Sequence, residues 1–297
     1  MTTDKYLKII TTNKQGSIES RCLDILSRLG KDHLILGIVF FFEAGGKEGY
    51  LEGEAAMVSC CREYFGKLTP MVTCVAQKPV GATLTAEVLY LRGDGTVEFN
   101  EDYLVIRGQE GAELITKGIH FPYDGDTAVQ AGKVFGRLSG ILEGEGFIVT
   151  DIVRQWNYIQ DITKTSDGVQ NYQMFNDARS SFYSSGDWKG GYPAATGIGC
   201  SEGGVTVSVY AVKGCAGISK PIDNPIQVPA HKYSNKVLRE GKETVRTTPK
   251  FERARLLDST VLVSGTAAIK GENSEISTDA RLQSEAAIDV MEHLVAP

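Results

Sequence analysis

Four segments of this chain alternate between two half-domain patterns, and that internal repeat constrains the fold more than any short motif. One pattern, the front half, is strands followed by a long amphipathic helix. It spans 103–143, with a helix through Val134, Phe135, Leu138, Ile141 and Leu142, and returns at 259–294, with a helix through Ala287, Val290, Met291 and Leu294. The other, the back half, is strand, helix and two strands. It spans 36–91 and 147–213, with helices through Met57, Cys61, Tyr64 and Phe65, and around Tyr172, Phe175, Ala178 and Phe182. Apolar spacings of three and four define the helices, and runs rich in Val, Ile, Thr and Tyr define the strands. The expectation is a mixed α/β protein of two similar domains. Residues 103–213 form one, and 36–91 packs with 259–294 as a second, permuted one, because each half exposes an apolar face that needs a cover. The Pro-bearing stretch 214–250 reads as a long connector.

Composition removes several function classes. The net charge is −6 over 297 residues, and no basic run suggests a nucleic-acid face. No apolar stretch spans a bilayer and the start lacks a signal-like core, so a cytoplasmic location is expected. The six cysteines form no C-x-x-C pair, and the four histidines have no metal-ligand spacing. No phosphate-binding glycine motif is present. Neither a metal nor a cofactor is expected.

The order of halves in 103–213 resembles the RidA/YjgF superfamily. Longer stretches are more specific: Ile152-Val-Arg-Gln-Trp-Asn-Tyr-Ile159, Tyr172-Gln-Met-Phe-Asn-Asp-Ala-Arg179, Tyr192-Pro-Ala-Ala-Thr-Gly-Ile-Gly199, Asn224-Pro-Ile-Gln-Val-Pro-Ala230, Pro249-Lys-Phe-Glu-Arg-Ala254 and Val263-Ser-Gly-Thr-Ala267. In this order, over about 85–294, they resemble the chorismatase and 3-hydroxybenzoate synthase family. The resemblance implies cleavage of the enolpyruvyl ether of chorismate to pyruvate and a cyclic hydroxy-carboxylate, and a homo-oligomer, most simply a trimer. It also implies a further back half carrying an acidic residue on its last strand. The N-terminal back half matches that description: Thr69-Pro-Met-Val-Thr-Cys74 precedes Thr85-Ala-Glu-Val88. Cys74 and Glu87 then occupy the positions of interest.

Enol-ether cleavage needs an acid that is protonated near neutrality. A strand carboxyl among apolar neighbours meets that need, and Glu87 is the candidate. Strict alternation would equally place Glu87 with Thr85 on a polar face. A substrate with two carboxylates calls for arginines: Arg154 and Arg179 first, Arg253 third. Asn157, Tyr158, Tyr192 and Ala195 are candidate pocket residues, as are Gly265 and Thr266 at a strand end. The competing readings are packing for the aromatic residues, a surface charge for Arg179 and a simple bend for Gly265. A catalytically silent carboxylate binder and a purely structural oligomer stand as alternatives to the enzyme.

Overall fold

A computed structural model describes residues 2–30, 32–108, 111–166, 168–234, 247–274 and 279–295. In chain order the elements are β1 (Lys5–Thr12), α1 (Ile18–Ser27), β2 (Leu34–Phe42), α2 (Lys47–Phe65), β3 (Met71–Ala76), β4 (Leu84–Leu91), β5 (Thr96–Phe99), β6 (Tyr103–Arg107), β7 (Ala112–Thr116), α3 (Thr127–Gly144), β8 (Ile152–Gln160), the two-residue strands β9 (Thr165–Ser166) and β10 (Val169–Gln170), α4 (Asn171–Tyr183), β11 (Ala194–Cys200), β12 (Val205–Val212), β13 (Ser219–Ile222), β14 (Ala254–Leu257), β15 (Thr260–Val263), β16 (Ile269–Lys270), β17 (Asn273–Ser274) and α5 (Ala280–Val295).

Two units share one topology. The first sheet runs β1-β4-β2-β3, and the second runs β11-β8-β12-β7-β6-β5. In each, a strand–helix–strand–helix–strand–strand path places a parallel pair, β2 with β3 or β8 with β11, beside an antiparallel last strand, β4 or β12. Helices α1 and α2 cover one face of the first sheet, burying Ile38, Phe40, Phe42, Ala86 and Val88. Helices α3 and α4 cover the second in the same way, over Val205, Val207 and Val209. Full burial of such side chains contributes about 1.5–3 kcal/mol each. Helix α3 starts where Asp126 caps it, its carboxylate accepting from the Val129 amide at 2.9 Å. Its apolar stripe at 131, 134, 135, 138, 141 and 142 has helical spacing and is buried throughout.

The uncovered faces of the two sheets turn toward each other. Leu36, Met71 and Leu91 from the first meet Leu104, Ile106, Ile115 and Val153 from the second. The approach is close at Gly118, whose amide donates to Thr73 Oγ1 at 2.7 Å. A Cβ at Gly118 would stand 2.5 Å from methyl groups of Thr73 and Thr206. A third sheet, β13-β14-β15, lies against the edge of β11: the Ala195 amide donates to Ser264 Oγ, and the Gly265 amide to the Ala195 carbonyl. Among the described residues no helix is long and apolar enough to cross a membrane.

The permuted pairing of 36–91 with 259–294 is corrected by this topology. The strand completing the first sheet is β1, in register with β4 over eight pairs from Lys5↔Leu91 to Thr12↔Leu84. Helix α1 supplies the second cover, burying Cys22, Ile25 and Leu26. Strand β15 has four residues and pairs with β14. Helix α5 buries only Val290 and Leu294. The reason is length: β1 matches all of β4, and a four-residue strand cannot. The segment 214–250 is not a bare connector, since β13 and a helical turn at Ala230–Lys232 lie within it. Residues 235–246 of that segment lie outside the described residues.

Candidate functional site

The structure sorts the sequence-derived candidates onto the two faces of the second sheet. On the face turned toward the first sheet, β8 presents Arg154, Trp156 and Tyr158 at alternate positions. Arg154 Nη2 donates to Thr196 Oγ1 at 2.5 Å, and its guanidinium lies 4.9 Å from the Trp156 ring centroid. Arg154 is 8% exposed, and its Nη1 is buried without a partner. Burial pushes its pKa down to about 10, against the pull of Tyr158 and Glu87. The Tyr158 ring meets Phe41 of β2 edge-on at 6.2 Å.

Glu87 faces the same space from β4. It lines a cavity of about 500 Å³ with Val39, Thr73, Trp156, Tyr158 and Ser208. Burial holds its carboxyl above the usual range, and the Arg154 charge opposes that rise. Residues 2–7 and the hairpin turn at Asp258 also line it. There Thr3 N, at 2.6 Å, and Lys5 Nζ, at 2.5 Å, donate to Glu113, as does the Tyr210 hydroxyl.

The opposite face, under α4, holds a cationic cluster. Phe175, Arg179 and Tyr183 share one stripe of α4 at four-residue spacing, so Arg179 points inward and is 1% exposed. It is not the surface charge that its helical position allowed. The Phe251 ring sits between two guanidinium groups, 6.0 Å from Arg179 and 5.6 Å from Arg253. Lys250 lies over the Tyr192 ring at 5.6 Å; burial lowers its pKa, and the charge of Arg179 lowers it further. Among the described residues none of these three cations has a carboxylate within 4.0 Å. Their hydrogen bonds go to Asn176 Oδ1, to Tyr233 and the Val228 carbonyl, and to Thr248. The Nε atoms of Arg179 and Arg253 are buried without partners. Two buried arginines beneath half-buried Tyr192, Tyr233 and Phe251 form a floor suited to a carboxylate.

Arg179 and Glu87 are therefore not brought together. Asn157 lies on the helix side, satisfied by Gln155 and by the Thr196 carbonyl. Cys74 also turns into the helix-side core, away from Glu87, and burial pushes its thiol well up. Tyr192 joins the cationic cluster, whereas Ala195 offers backbone groups that already hold Ser264 and Gly265. Gly265 is small because a Cβ there would meet Thr196 at 3.1 Å, and Thr266 Oγ1 donates to the Ser264 carbonyl. Lys250, Phe251 and Tyr233 were not singled out from the sequence. The stretch Pro249-Lys-Phe-Glu-Arg-Ala254 was the available signal. Among the described residues no group of acidic, His or Cys side chains is placed to hold a metal.

The fold is that of a chorismatase. A crystal structure of a chorismatase superposes with a TM-score of 0.66 at 22% identity, covering 99% of this chain and 78% of that one. In sequence, residues 91–211 match the family model described as chorismatase FkbO/Hyg5-like, N-terminal. The chain is 30% identical over 200 residues to a 3-hydroxybenzoate synthase of Streptomyces hygroscopicus, covering 60% of this chain and 56% of that protein. It is 32% identical over 150 residues to a chorismatase of the same organism, covering 48% and 41%. The resemblance to the chorismatase and 3-hydroxybenzoate synthase family thus holds, and the chain spans about half the length of these relatives.

Proposed function

We propose that this protein is a chorismatase-like enzyme that cleaves the enolpyruvyl ether of chorismate, giving pyruvate and a cyclic hydroxy-carboxylate. The observation carrying the reading is the Arg179–Lys250–Arg253 cluster, three cations without a described carboxylate partner around an aromatic floor. A dianionic cyclic substrate supplies two negative charges to these three cations and a flat face for Phe251 and Tyr192. A second arrangement is favoured by the raised pKa of Glu87: the reaction runs in the inter-sheet cavity, with Glu87 donating the proton and the free Nη1 of Arg154 binding a carboxylate. Assembly as a homotrimer and a cytoplasmic setting belong to the same proposal.

The test is incubation with chorismate, following pyruvate and identifying the ring product by mass spectrometry. The wild type is expected to turn over. Arg179→Ala and Arg253→Ala should each weaken binding by about 2–5 kcal/mol, the cost of leaving a carboxylate buried and unpaired. Loss of turnover in Glu87→Gln and of binding in Arg154→Ala, with Arg179→Ala unaffected, would move the site to the cavity. Binding without turnover would indicate a silent carboxylate binder, and neither would leave a structural oligomer.

A further inference from the structure

One histidine stands inside the cationic cluster, and the mechanism above leaves it unused. His231 lies in the helical turn Ala230–Lys232. Its ring packs 5.4 Å from that of Tyr192, on which Lys250 also rests. Its Nδ1 is buried with no hydrogen-bond partner and lies 3.7 Å from Glu252 Oε2. Glu252 is fixed in turn: its other oxygen accepts the Tyr192 amide at 2.9 Å, and its own amide donates to the Pro193 carbonyl at 3.1 Å. Arg253 clamps the histidine segment on both sides, donating to the Val228 carbonyl at 2.8 Å and to the Tyr233 hydroxyl at 2.6 Å. The residue that would bind a carboxylate therefore also sets the position of His231.

We propose that His231, oriented by Glu252, is the proton donor for a substrate held by Arg179, Lys250 and Arg253. The inference rests on the cluster being the substrate site. The chemistry balances without a cofactor. The imidazolium transfers the proton on Nε2 to the methylene carbon of the enol ether, forming a C–H bond and leaving an oxocarbenium ion. Water adds to that carbon and returns a proton to Nε2. As the hemiketal breaks its bond to the ring oxygen, that oxygen takes a proton from Nε2 and leaves as the alcohol, while the hemiketal hydroxyl gives up its proton to the imidazole and becomes the carbonyl of pyruvate. Glu252 keeps the charged imidazole paired through the step, as a carboxylate beside a catalytic histidine does.

The experiment measures pyruvate release and chorismate binding for the full chain and its variants, each checked by circular dichroism melting. His231→Ala should lower kcat by about 10²–10⁴-fold with the dissociation constant nearly unchanged, and free imidazole should restore part of the rate. Glu252→Gln should lower kcat in the same direction. Wild-type kcat in His231→Ala, alongside lost binding in Arg179→Ala and Arg253→Ala, overturns the inference and leaves the cluster as the binding site. If the arginine variants bind and turn over normally, or if the wild type does neither, the site assignment falls and this inference with it. A folded His231→Ala that lost activity without imidazole rescue, and lost binding equally, would mark a structural role and overturn it as well.

Discussion

Glu87 shows how much one position on one strand decides. Its neighbours Ala86 and Val88 face the helices, so alternation sends Glu87 to the other face. In an isolated sheet that face would be wet; here a second sheet closes over it. The carboxyl is raised by burial, with Arg154 only partly offsetting the rise. A group whose folded pKa exceeds its unfolded value binds more protons when folded between the two. Stability therefore falls as pH rises from the ordinary glutamate range through the raised value. Glu87→Gln should remove that fall, so the variant melts at or above the wild-type temperature at neutral pH and below it in acid. A melting series from pH 4 to 8 with the same slope for both proteins would refute this. The sequence showed Glu87 as a candidate acid and left its face open, because strand periodicity is silent on what lies across the sheet. Motif proximity likewise does not say which face a side chain takes: Asn157 and Cys74 both turn to the helix side of their sheets, away from the face of Glu87.

At the scale of elements, the helices α2 to α5 and most long strands were legible, since their apolar spacing survives any tertiary context. The first strand and helix were not. Lys5-Tyr-Leu-Lys-Ile-Ile-Thr-Thr12 puts lysine at two positions and leaves Leu7 and Ile9 57% and 70% exposed, a weak strand signal. What holds β1 is non-local: pairing along all of β4, and the bonds of Thr3 and Lys5 to Glu113 of β7. Glu113 is 4% exposed and accepts from three residues. Glu113→Ala leaves the Lys5 ammonium buried without its partner, and should cost about 3–5 kcal/mol in urea denaturation. Pairing it with Lys5→Met should recover most of the loss. If the double variant is as unstable as the single one, the ion pair is not what fastens the strand.

For the molecule as a whole, repetition was visible in the sequence and its phase was not. Two complete units of the same topology stand face to face, and the smaller sheet β13-β14-β15 lies beside them against β11. Strand β1 leaves an edge with Leu7 and Ile9 in solvent, and Val261 on β15 is 44% exposed. Apolar edges of this kind are covered by association more readily than they are tolerated. Light scattering at micromolar concentration is expected to give a multiple of 32.2 kDa, three times that mass if the proposed trimer forms. A stable single-copy mass would contradict it, and Leu7→Lys with Ile9→Lys should lower the assembly state if β1 lies in the contact.

The amide of Thr2 donates to Asp258 on the hairpin turn at 2.8 Å, one residue before Thr3 docks on Glu113. Thr2, Thr3 and Asp258 all line the inter-sheet cavity, so this anchor holds part of the cavity wall in place. An affinity tag placed ahead of Thr2 would load the anchor that forms part of that wall. Comparing ligand affinity between forms tagged at one end and at the other would reveal how much that wall tolerates.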